Sequence, residues 1–179
     1  MKIKTKTIDT TPLELELNPD FYDYDYYMRG CQTGKSAFMG GWGYQGAWDS
    51  DAKNILEYFG KIESVADVGC ALGNLILAFE KLGIKKAHGF EYSNFCVKAA
   101  HCKKMFWCDI ANGLKVKDNS YELVICTEVL EHIPEENVEN AIKELCRISS
   151  KYIFITTPDD VINRKDDADV SHVTIKPRD

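Results

Sequence analysis

SVADVGCALGN, residues 64–74, is the most informative stretch of this chain. An apolar segment containing Asp67 runs into a turn with two glycines, Gly69 and Gly73, and an apolar helical pattern begins after Asn74. A buried strand that ends in a glycine turn lets the backbone approach a ligand closely, and the N–H groups of the following helix face that ligand. The stretch therefore predicts a nucleotide-cofactor site at the end of a parallel strand.

The composition fits a single globular domain. The chain has 179 residues, of which 45% are hydrophobic and 28% charged, and no apolar run approaches the roughly 18 residues that a membrane span needs. The first ten residues, MKIKTKTIDT, lack the apolar core of a signal peptide. We therefore expect a cytoplasmic protein without membrane contact. The net charge of −6 disfavours a broad nucleic-acid surface.

The seven cysteines fit a reducing compartment, because their number is odd and most lie in apolar segments. We expect no disulfides. A zinc site built from Cys96, His101, Cys102 and Cys108 is the alternative, but this group lacks a paired CxxC knuckle. We interpret its members as core residues.

Short apolar runs alternate with helical patterns from residue 50 onward. Asp49 or Ser50 is expected to cap a first helix that Gly60 ends, and Pro134 introduces a later one. The alternation predicts an α/β fold, a Rossmann-like parallel sheet with helices on both faces. Strands are expected at 65–68, 87–90, 105–108, 123–126 and 152–156, and further helices at 75–82 and 93–100.

The glycine turn does not fit a dinucleotide cofactor. In the GxGxxG register that starts at Gly69, Ala71 and Asn74 occupy the other two glycine positions, which disfavours a nicotinamide oxidoreductase. The segment instead resembles motif I of the class I S-adenosylmethionine-dependent methyltransferases, acid-x-Gly-x-Gly/Ala-x-Gly. Asp67, Gly69, Ala71 and Gly73 match that motif.

The resemblance implies a cofactor role for two further acids. Glu91, after the second strand, matches the family acid that binds the two ribose hydroxyls, and Asp109 matches the acid that contacts the adenine amino group. A lone acid is more often a solvated loop carboxylate, but three at successive strand ends favour a site. The expected cofactor-binding set is Asp67, Gly69, Cys70, Ala71, Gly73, Asn74, Glu91, Tyr92, Asp109, Ile110 and Glu128.

The segment CTEVLEHIP, residues 126–134, resembles a motif after the fourth strand of O-methyltransferases, including the ubiquinone-pathway and small-RNA 2'-O-methyltransferases. Glu128, Glu131 and His132 have i, i+3, i+4 spacing, so a single helical turn would gather all three side chains. By resemblance to the RNA-end enzymes, His172 would complete a site for Mg²⁺ or Mn²⁺.

Two interpretations of that motif stay open. In one, a metal held by Glu128, Glu131, His132 and His172 binds neighbouring hydroxyls of the acceptor. In the other, Glu128 lines the cofactor pocket while Glu131 and His132 make structural hydrogen bonds. Without a metal, His132 is the candidate catalytic general base, because imidazole accepts a proton near neutral pH.

Three segments are expected along the chain. They are an aromatic-rich extension at 1–48, the S-adenosylmethionine-binding core at 49–158 and a polar tail at 159–179 near the active site. The aromatic side chains of the extension either pack against the domain or form a lid, since aromatic faces suit a sulfonium cation. Those side chains are Phe21, Tyr22, Tyr24, Tyr26, Tyr27, Trp42 and Trp48.

The chain departs from the family pattern in one respect. Class I methyltransferases ordinarily end with an antiparallel hairpin of a sixth and a seventh strand, and no apolar run after Thr156 supplies it. Two explanations stay open: either the chain is a truncated or minimal form of the fold, or the exposed edge of the fifth strand is covered by residues 1–48 or by a partner, such as a second copy in a homo-oligomer.

The resemblance implies methyl transfer to a hydroxyl of a small molecule, a sugar or an RNA terminus. The acidic charge makes RNA the least favoured of these acceptors. Two alternatives remain at this point: a cofactor-binding module or partner subunit without transfer activity, and an enzyme that cleaves or decarboxylates S-adenosylmethionine.

Overall fold

The computed structural model describes residues 17–36, 46–158 and 169–174. Within these residues, helices and strands alternate after an N-terminal pair of helices. The helices are α1 (Tyr24–Thr33), α2 (Ala47–Phe59), α3 (Asn74–Lys81), α4 (Asn94–Lys98) and α5 (Glu135–Ile148), and the strands are β1 (Ser64–Val68), β2 (Lys86–Glu91), β3 (Met105–Trp107), β4 (Tyr121–Thr127) and β5 (Ser149–Thr156).

The strands form one parallel sheet in the order β3-β2-β1-β4-β5. The expected Rossmann-like α/β fold is confirmed. The strand order reverses between β1 and β4, and a parallel sheet opens a ligand crevice at the carboxyl ends of the strands where this reversal occurs. The glycine turn after β1 therefore opens into the crevice.

Helices cover both faces of the sheet, so its central strands are buried on both sides. All five residues of β1 are buried. On β4, Leu123 packs with the cluster that includes α2 and α3, whereas its neighbour Val124 packs with the cluster that includes α5. Such two-sided burial explains why the central strands are short, nearly continuous apolar runs.

The two N-terminal helices differ from the expectation. The predicted cap of α2 at Asp49 or Ser50 is wrong, because the helix begins at Ala47, and Asp49 lies in its first turn beside the positive end of the helix dipole. Helix α1 was not predicted. Its N-cap Asp23 accepts a hydrogen bond from the backbone N–H of Tyr26 at 2.9 Å.

The C-terminal segment 169–174 packs against the loop after β4. The backbone N–H groups of Val173 and Thr174 donate to the carbonyl of Glu131 at 2.8 and 3.0 Å, and the Thr174 hydroxyl donates to the carbonyl of Ile133 at 2.6 Å. The described part of the tail thus lies near the crevice. Trp42 lies outside the described residues.

In the described part of the chain, no helix combines the length and apolar character that crossing a membrane requires.

Candidate active site

A cavity of about 780 Å³ opens at the carboxyl ends of β1, β2 and β4. Its volume falls within the roughly 300–1,000 Å³ of small-molecule sites. Ten of the expected site residues line it: Gly69, Ala71, Glu91, Tyr92, Asp109, Ile110, Glu128, Glu131, His132 and His172. The other four do not line it and belong to β1, the turn and the start of α3: Asp67, Cys70, Gly73 and Asn74.

The turn after β1 needs glycine at two positions. Gly69 and Gly73 have φ angles of +78° and +74°, a region that side chains with a Cβ rarely adopt. A Cβ at Gly73 would also lie 2.6 Å from Sγ of Cys102. The turn also lies close to β2, because the N–H of Gly69 donates to the carbonyl of Phe90 at 2.8 Å.

Glu91 connects the end of β2 to this turn. Its Oε2 accepts from the N–H of Ala71 and its Oε1 from the N–H of Ser93, each at 2.7 Å. Burial raises the pKa of Glu91 to about 7. Burial, together with the charge of Glu91, also raises the pKa of Asp67 to about 7. A cationic ligand group beside this pair would favour the ionised carboxylates.

Asp109 shapes the wall of the cavity after β3. It caps a 3₁₀ turn, in which its Oδ1 accepts from the N–H of Ala111 at 3.0 Å and its Oδ2 from the amide of Asn112 at 2.8 Å. The turn places the buried side chain of Ile110 against the cavity.

The loop after β4 is not the expected helical turn. Glu128 has a positive φ of 53° and its N–H donates to the carbonyl of Thr156 at 3.0 Å. A 3₁₀ turn then begins only at Leu130. The prediction that one helical turn gathers Glu128, Glu131 and His132 is wrong, because the backbone reverses at Glu128 to bond to β5.

A smaller cluster remains from the expected metal set. One ligand atom each from Glu131, His132 and His172 lies within 4.8 Å of the others, and Glu128 does not belong to the group. His172 comes from the tail, and its ring centroid lies 4.8 Å from that of His132. Among residues 17–36, 46–158 and 169–174, no other group of His, Cys, Asp and Glu side chains lies close enough together to hold a metal ion. The alternative zinc ligands Cys96, His101, Cys102 and Cys108 do not form such a group.

Glu131 has the most unusual environment in this cluster. Its side chain is 1% exposed, and its Oε2 accepts a long hydrogen bond of 3.4 Å from the Thr157 hydroxyl. Its Oε1 lies 4.0 Å from His132 Nε2, with no hydrogen-bond donor among the described residues. Burial raises the pKa of Glu131 to about 7. A buried acceptor without a donor is costly, so the donor set fits a cation at this point.

The tail contributes two side chains that the sequence reasoning missed, Asp169 and Ser171. Ser171 Oγ lies 2.9 Å from His132 Nδ1 and donates to Asp169 Oδ1 at 2.6 Å. The hydroxyl of Tyr26, on α1, donates to Asp169 Oδ2 at 2.7 Å. The spacing Asp-x-Ser typically forms an Asx turn, which was the available signal, but it does not reveal a contact with His132.

Aromatic side chains close the cavity opposite the sheet. Tyr22, Tyr26, Tyr27 and Trp48 all line it. The Tyr22 ring meets the His132 ring edge to face, with centroids 5.8 Å apart. Helix α1 and the residues before it therefore cover the His132 side of the crevice.

A parallel sheet in this order, with a glycine turn after β1 and an acid at the end of β2, is a Rossmann-like nucleotide-cofactor fold, and Asp67, Gly69, Ala71 and Gly73 match motif I of the class I S-adenosylmethionine-dependent methyltransferases. The sequence comparison agrees, since the methyltransferase-domain family matches residues 43–172. The chain belongs to this family of methyltransferase domains, and S-adenosylmethionine is its cofactor.

Individual relatives are more distant. The chain is 30% identical over 118 residues to ribosomal protein L11 methyltransferase of Staphylococcus carnosus, an alignment that covers 60% of this chain and 38% of that protein. The chain thus spans well under half of this curated relative.

Two solved structures show the same fold. A SAM-dependent methyltransferase from Archaeoglobus fulgidus matches with a TM-score of 0.60 and 22% identity, over 73% of this chain and 61% of that one. Magnesium protoporphyrin IX methyltransferase from Synechocystis PCC 6803, solved with bound SAH, matches with a TM-score of 0.50 and 24% identity, over 61% and 53%.

Proposed function

We propose that this protein transfers the methyl group of S-adenosylmethionine to a hydroxyl of a small molecule or a sugar. One observation carries the proposal: a single cavity joins the glycine turn and Glu91 to the cluster of Glu131, His132 and His172. The cofactor's methyl group and the group that activates an acceptor then meet in one enclosed space.

In this proposal the cofactor extends across the ends of β1, β2 and β3. Gly69 and Gly73 bring the backbone close to its amino-acid part, and Asp67 orients its ammonium group directly or through water. The ribose hydroxyls donate to Glu91, whose carboxylate oxygens have further lone pairs beyond those used by two backbone N–H groups. Asp109 accepts from the adenine amino group and Ile110 packs on the ring. Cys70, Ala71, Asn74, Tyr92 and Glu128 complete the proposed binding set.

Methyl transfer is an in-line displacement. The acceptor oxygen forms a bond to the methyl carbon as the carbon–sulfur bond breaks, which leaves S-adenosylhomocysteine, and the hydroxyl proton passes to a base. His132 is the proposed catalytic base, because it lines the cavity and imidazole accepts protons near neutral pH.

The cluster also supports a metal-assisted version. Glu131, His132 and His172 would hold Mg²⁺ or Mn²⁺, and the buried Glu131 Oε1 without a donor supports this assignment. Such an ion would lower the pKa of a bound hydroxyl. Glu128, which also lines the cavity, stays outside the cluster and is assigned to the cofactor side.

The charge of the cavity supports a neutral acceptor. Its described lining contains five carboxylates and neither lysine nor arginine. Phosphate contacts depend on such cations, and the chain carries a net charge of −6. An RNA terminus is accordingly the least supported hydroxyl acceptor. The five acids are Glu91, Asp109, Glu128, Glu131 and Asp169.

The surroundings of the core also enter the proposal. The extension at 1–48 acts as a lid, since its described aromatic residues line the cavity. A second copy or this extension covers the outer edge of β5, which pairs only with β4 among the described strands. A cytoplasmic location completes the proposal.

Incubation with methyl-labelled S-adenosylmethionine and a panel of hydroxyl acceptors tests the activity. Labelled acceptor together with S-adenosylhomocysteine supports methyl transfer. Breakdown of the cofactor without any acceptor would instead indicate cleavage or decarboxylation, and binding without turnover would indicate a cofactor-binding module.

The metal is tested separately by calorimetric titration of Mg²⁺ and Mn²⁺ into the wild type and His132→Ala. His88→Ala is the matched control, because His88 on β2 does not line the cavity. Binding that His132→Ala loses and His88→Ala keeps supports the metal site. If the wild type binds neither ion and chelators leave the activity unchanged, the metal-assisted version is rejected and His132 remains the proposed base.

A further inference from the structure

The hydrogen bonds around His132 determine where its ring carries a proton. Nδ1 lies 2.9 Å from Ser171 Oγ and 3.3 Å from the carbonyl oxygen of the same residue. A carbonyl oxygen only accepts hydrogen bonds, so the contact with the carbonyl requires a proton on Nδ1. Whether the Ser171 hydroxyl donates to Nδ1 or accepts from it depends on the other hydrogen bonds of Ser171.

Ser171 has one hydroxyl proton, and Asp169 takes it. The Ser171 hydroxyl donates to Asp169 Oδ1 at 2.6 Å. Because its proton is committed to Asp169, the Ser171 oxygen offers only lone pairs to His132. Both contacts of Nδ1 therefore require the same donor, the Nδ1–H group.

Among the described residues, at least three donors contact Asp169. The Tyr26 hydroxyl donates to Oδ2 at 2.7 Å, and the backbone N–H and the hydroxyl of Ser171 donate to Oδ1 at 2.9 and 2.6 Å. Asp169 is 7% exposed and Ser171 is fully buried. Burial, with the charge of Asp169, raises the pKa of Tyr26 well above its usual value, so this residue remains a donor.

We propose that Asp169 and Ser171 are positioning residues that fix His132 as the Nδ1–H tautomer, with the lone pair of Nε2 beside Glu131. Nε2 lies 4.0 Å from Glu131 Oε1, on the side where the three candidate ligands converge. Both roles proposed for His132, as base or as metal ligand, need a nitrogen with a lone pair there. Tyr26 links this arrangement to α1. The role of this tautomer rests on the proposed function, whereas the tautomer itself can be measured without it.

The test is ¹⁵N NMR of the histidine rings in the uniformly labelled protein, without metal or cofactor, at a pH where His132 is neutral. The chemical shifts of the two ring nitrogens distinguish the tautomers, and comparison with His132→Gln assigns the signals among the four histidines. We expect the Nδ1–H form to exceed the Nε2–H form by roughly tenfold. A majority of the Nε2–H form would overturn the proposal.

Two variants test the positioning role. Ser171→Ala and Asp169→Asn are expected to lower the ratio of the tautomers several-fold. The backbone carbonyl of Ser171 remains as an acceptor, so the Nδ1–H form is reduced without being lost. Ser50→Ala, at an exposed position on α2, is the control and leaves the ratio unchanged. A wild-type ratio in both tail variants would show that neither residue positions the ring.

The wild-type measurement stands even if a tail variant fails to fold. It also separates this inference from the proposed function, because no methyl transfer or metal binding enters the readout. The Nδ1–H tautomer in a protein without transferase activity would support this inference and contradict the proposed function. An active protein with the Nε2–H tautomer would do the reverse.

Discussion

Glu91 Oε2 lies 2.7 Å from the backbone nitrogen of Ala71, so the end of β2 is bonded directly to the glycine turn after β1. The other oxygen of the carboxylate holds the start of α4 through the N–H of Ser93. One side chain thereby fixes two loops of the cofactor site relative to each other.

Replacement of Glu91 by Gln is expected to weaken S-adenosylhomocysteine binding by about tenfold or more, since a hydrogen bond to a charged group contributes roughly 1.5–3 kcal/mol. The Gln amide has a single acceptor oxygen, whereas the Glu91 carboxylate accepts one backbone N–H at each of its two oxygens. Isothermal calorimetry measures the affinity. The matched control is Glu122→Gln, because Glu122 also accepts from a backbone N–H, that of Glu63, but does not line the cavity. Equal affinities in the two variants would contradict the role of Glu91.

Substitution of Gly73 by Ala is expected to destabilise the protein more than substitution of Gly34 by Ala. Both glycines are left-handed, with φ near +74° and +73°. A new Cβ meets the Cys102 thiol at residue 73 and nothing within 4 Å at residue 34. Gly34→Ala should therefore lose only the roughly 1–2 kcal/mol of the left-handed conformation.

Chemical denaturation of both glycine variants gives the comparison. The difference between them isolates the steric contribution, because the backbone strain is shared. Equal free energies of unfolding would mean that the turn relaxes to admit the methyl group.

The stability contributed by Asp67 is expected to fall as the pH rises. The pKa of this residue is 3.8 without perturbation and about 7 in the folded protein, raised by burial and by Glu91. Between these values the folded state holds the proton that the unfolded state has lost, so the free energy of unfolding decreases with rising pH and levels off above pH 7. Asp67→Asn removes this dependence.

Denaturation of the wild type and Asp67→Asn from pH 4 to 8 tests the sign. The wild type should lose stability relative to the variant across this interval. A constant difference would show that Asp67 is already ionised in the unliganded protein.

Thiol reagents are expected to label two of the seven cysteines rapidly in the native protein. Cys31 and Cys146 are exposed. The thiols of the other five have raised pKa values, chiefly from burial, and thiolate is the reactive form. Counting the modified sites by mass spectrometry after brief labelling checks this, and rapid labelling of a third site would contradict it. The five are Cys70, Cys96, Cys102, Cys108 and Cys126.

The sheet and the cofactor turn were predictable because their signals are local. A strand covered on both faces is a nearly continuous apolar run, and left-handed turn positions favour glycine, so the stretch 64–74 alone predicts β1 and the turn that follows it. Glu91 and Asp109 were assigned from the resemblance to the methyltransferase acids, and both line the cavity.

The loop after β4 was not predictable in the same way. The i, i+3, i+4 spacing of Glu128, Glu131 and His132 describes a helix, but the backbone at Glu128 bonds to Thr156 of the neighbouring strand. That bond joins residues distant in sequence and overrides the local pattern. The contact of Ser171 with His132 likewise joins residues distant in sequence. Of the tail residues in the site, only His172 was therefore predicted.

The segment 169–174 belongs to no helix or strand, yet it supplies Asp169, Ser171 and His172 to the site. Among the described residues it forms hydrogen bonds to the loop after β4 and to α1, and it contributes no strand to the sheet. The segment thus adds side chains to a site that the ends of the strands have already formed. Substitutions in these few residues are therefore expected to alter the proposed reaction while leaving the sheet unchanged.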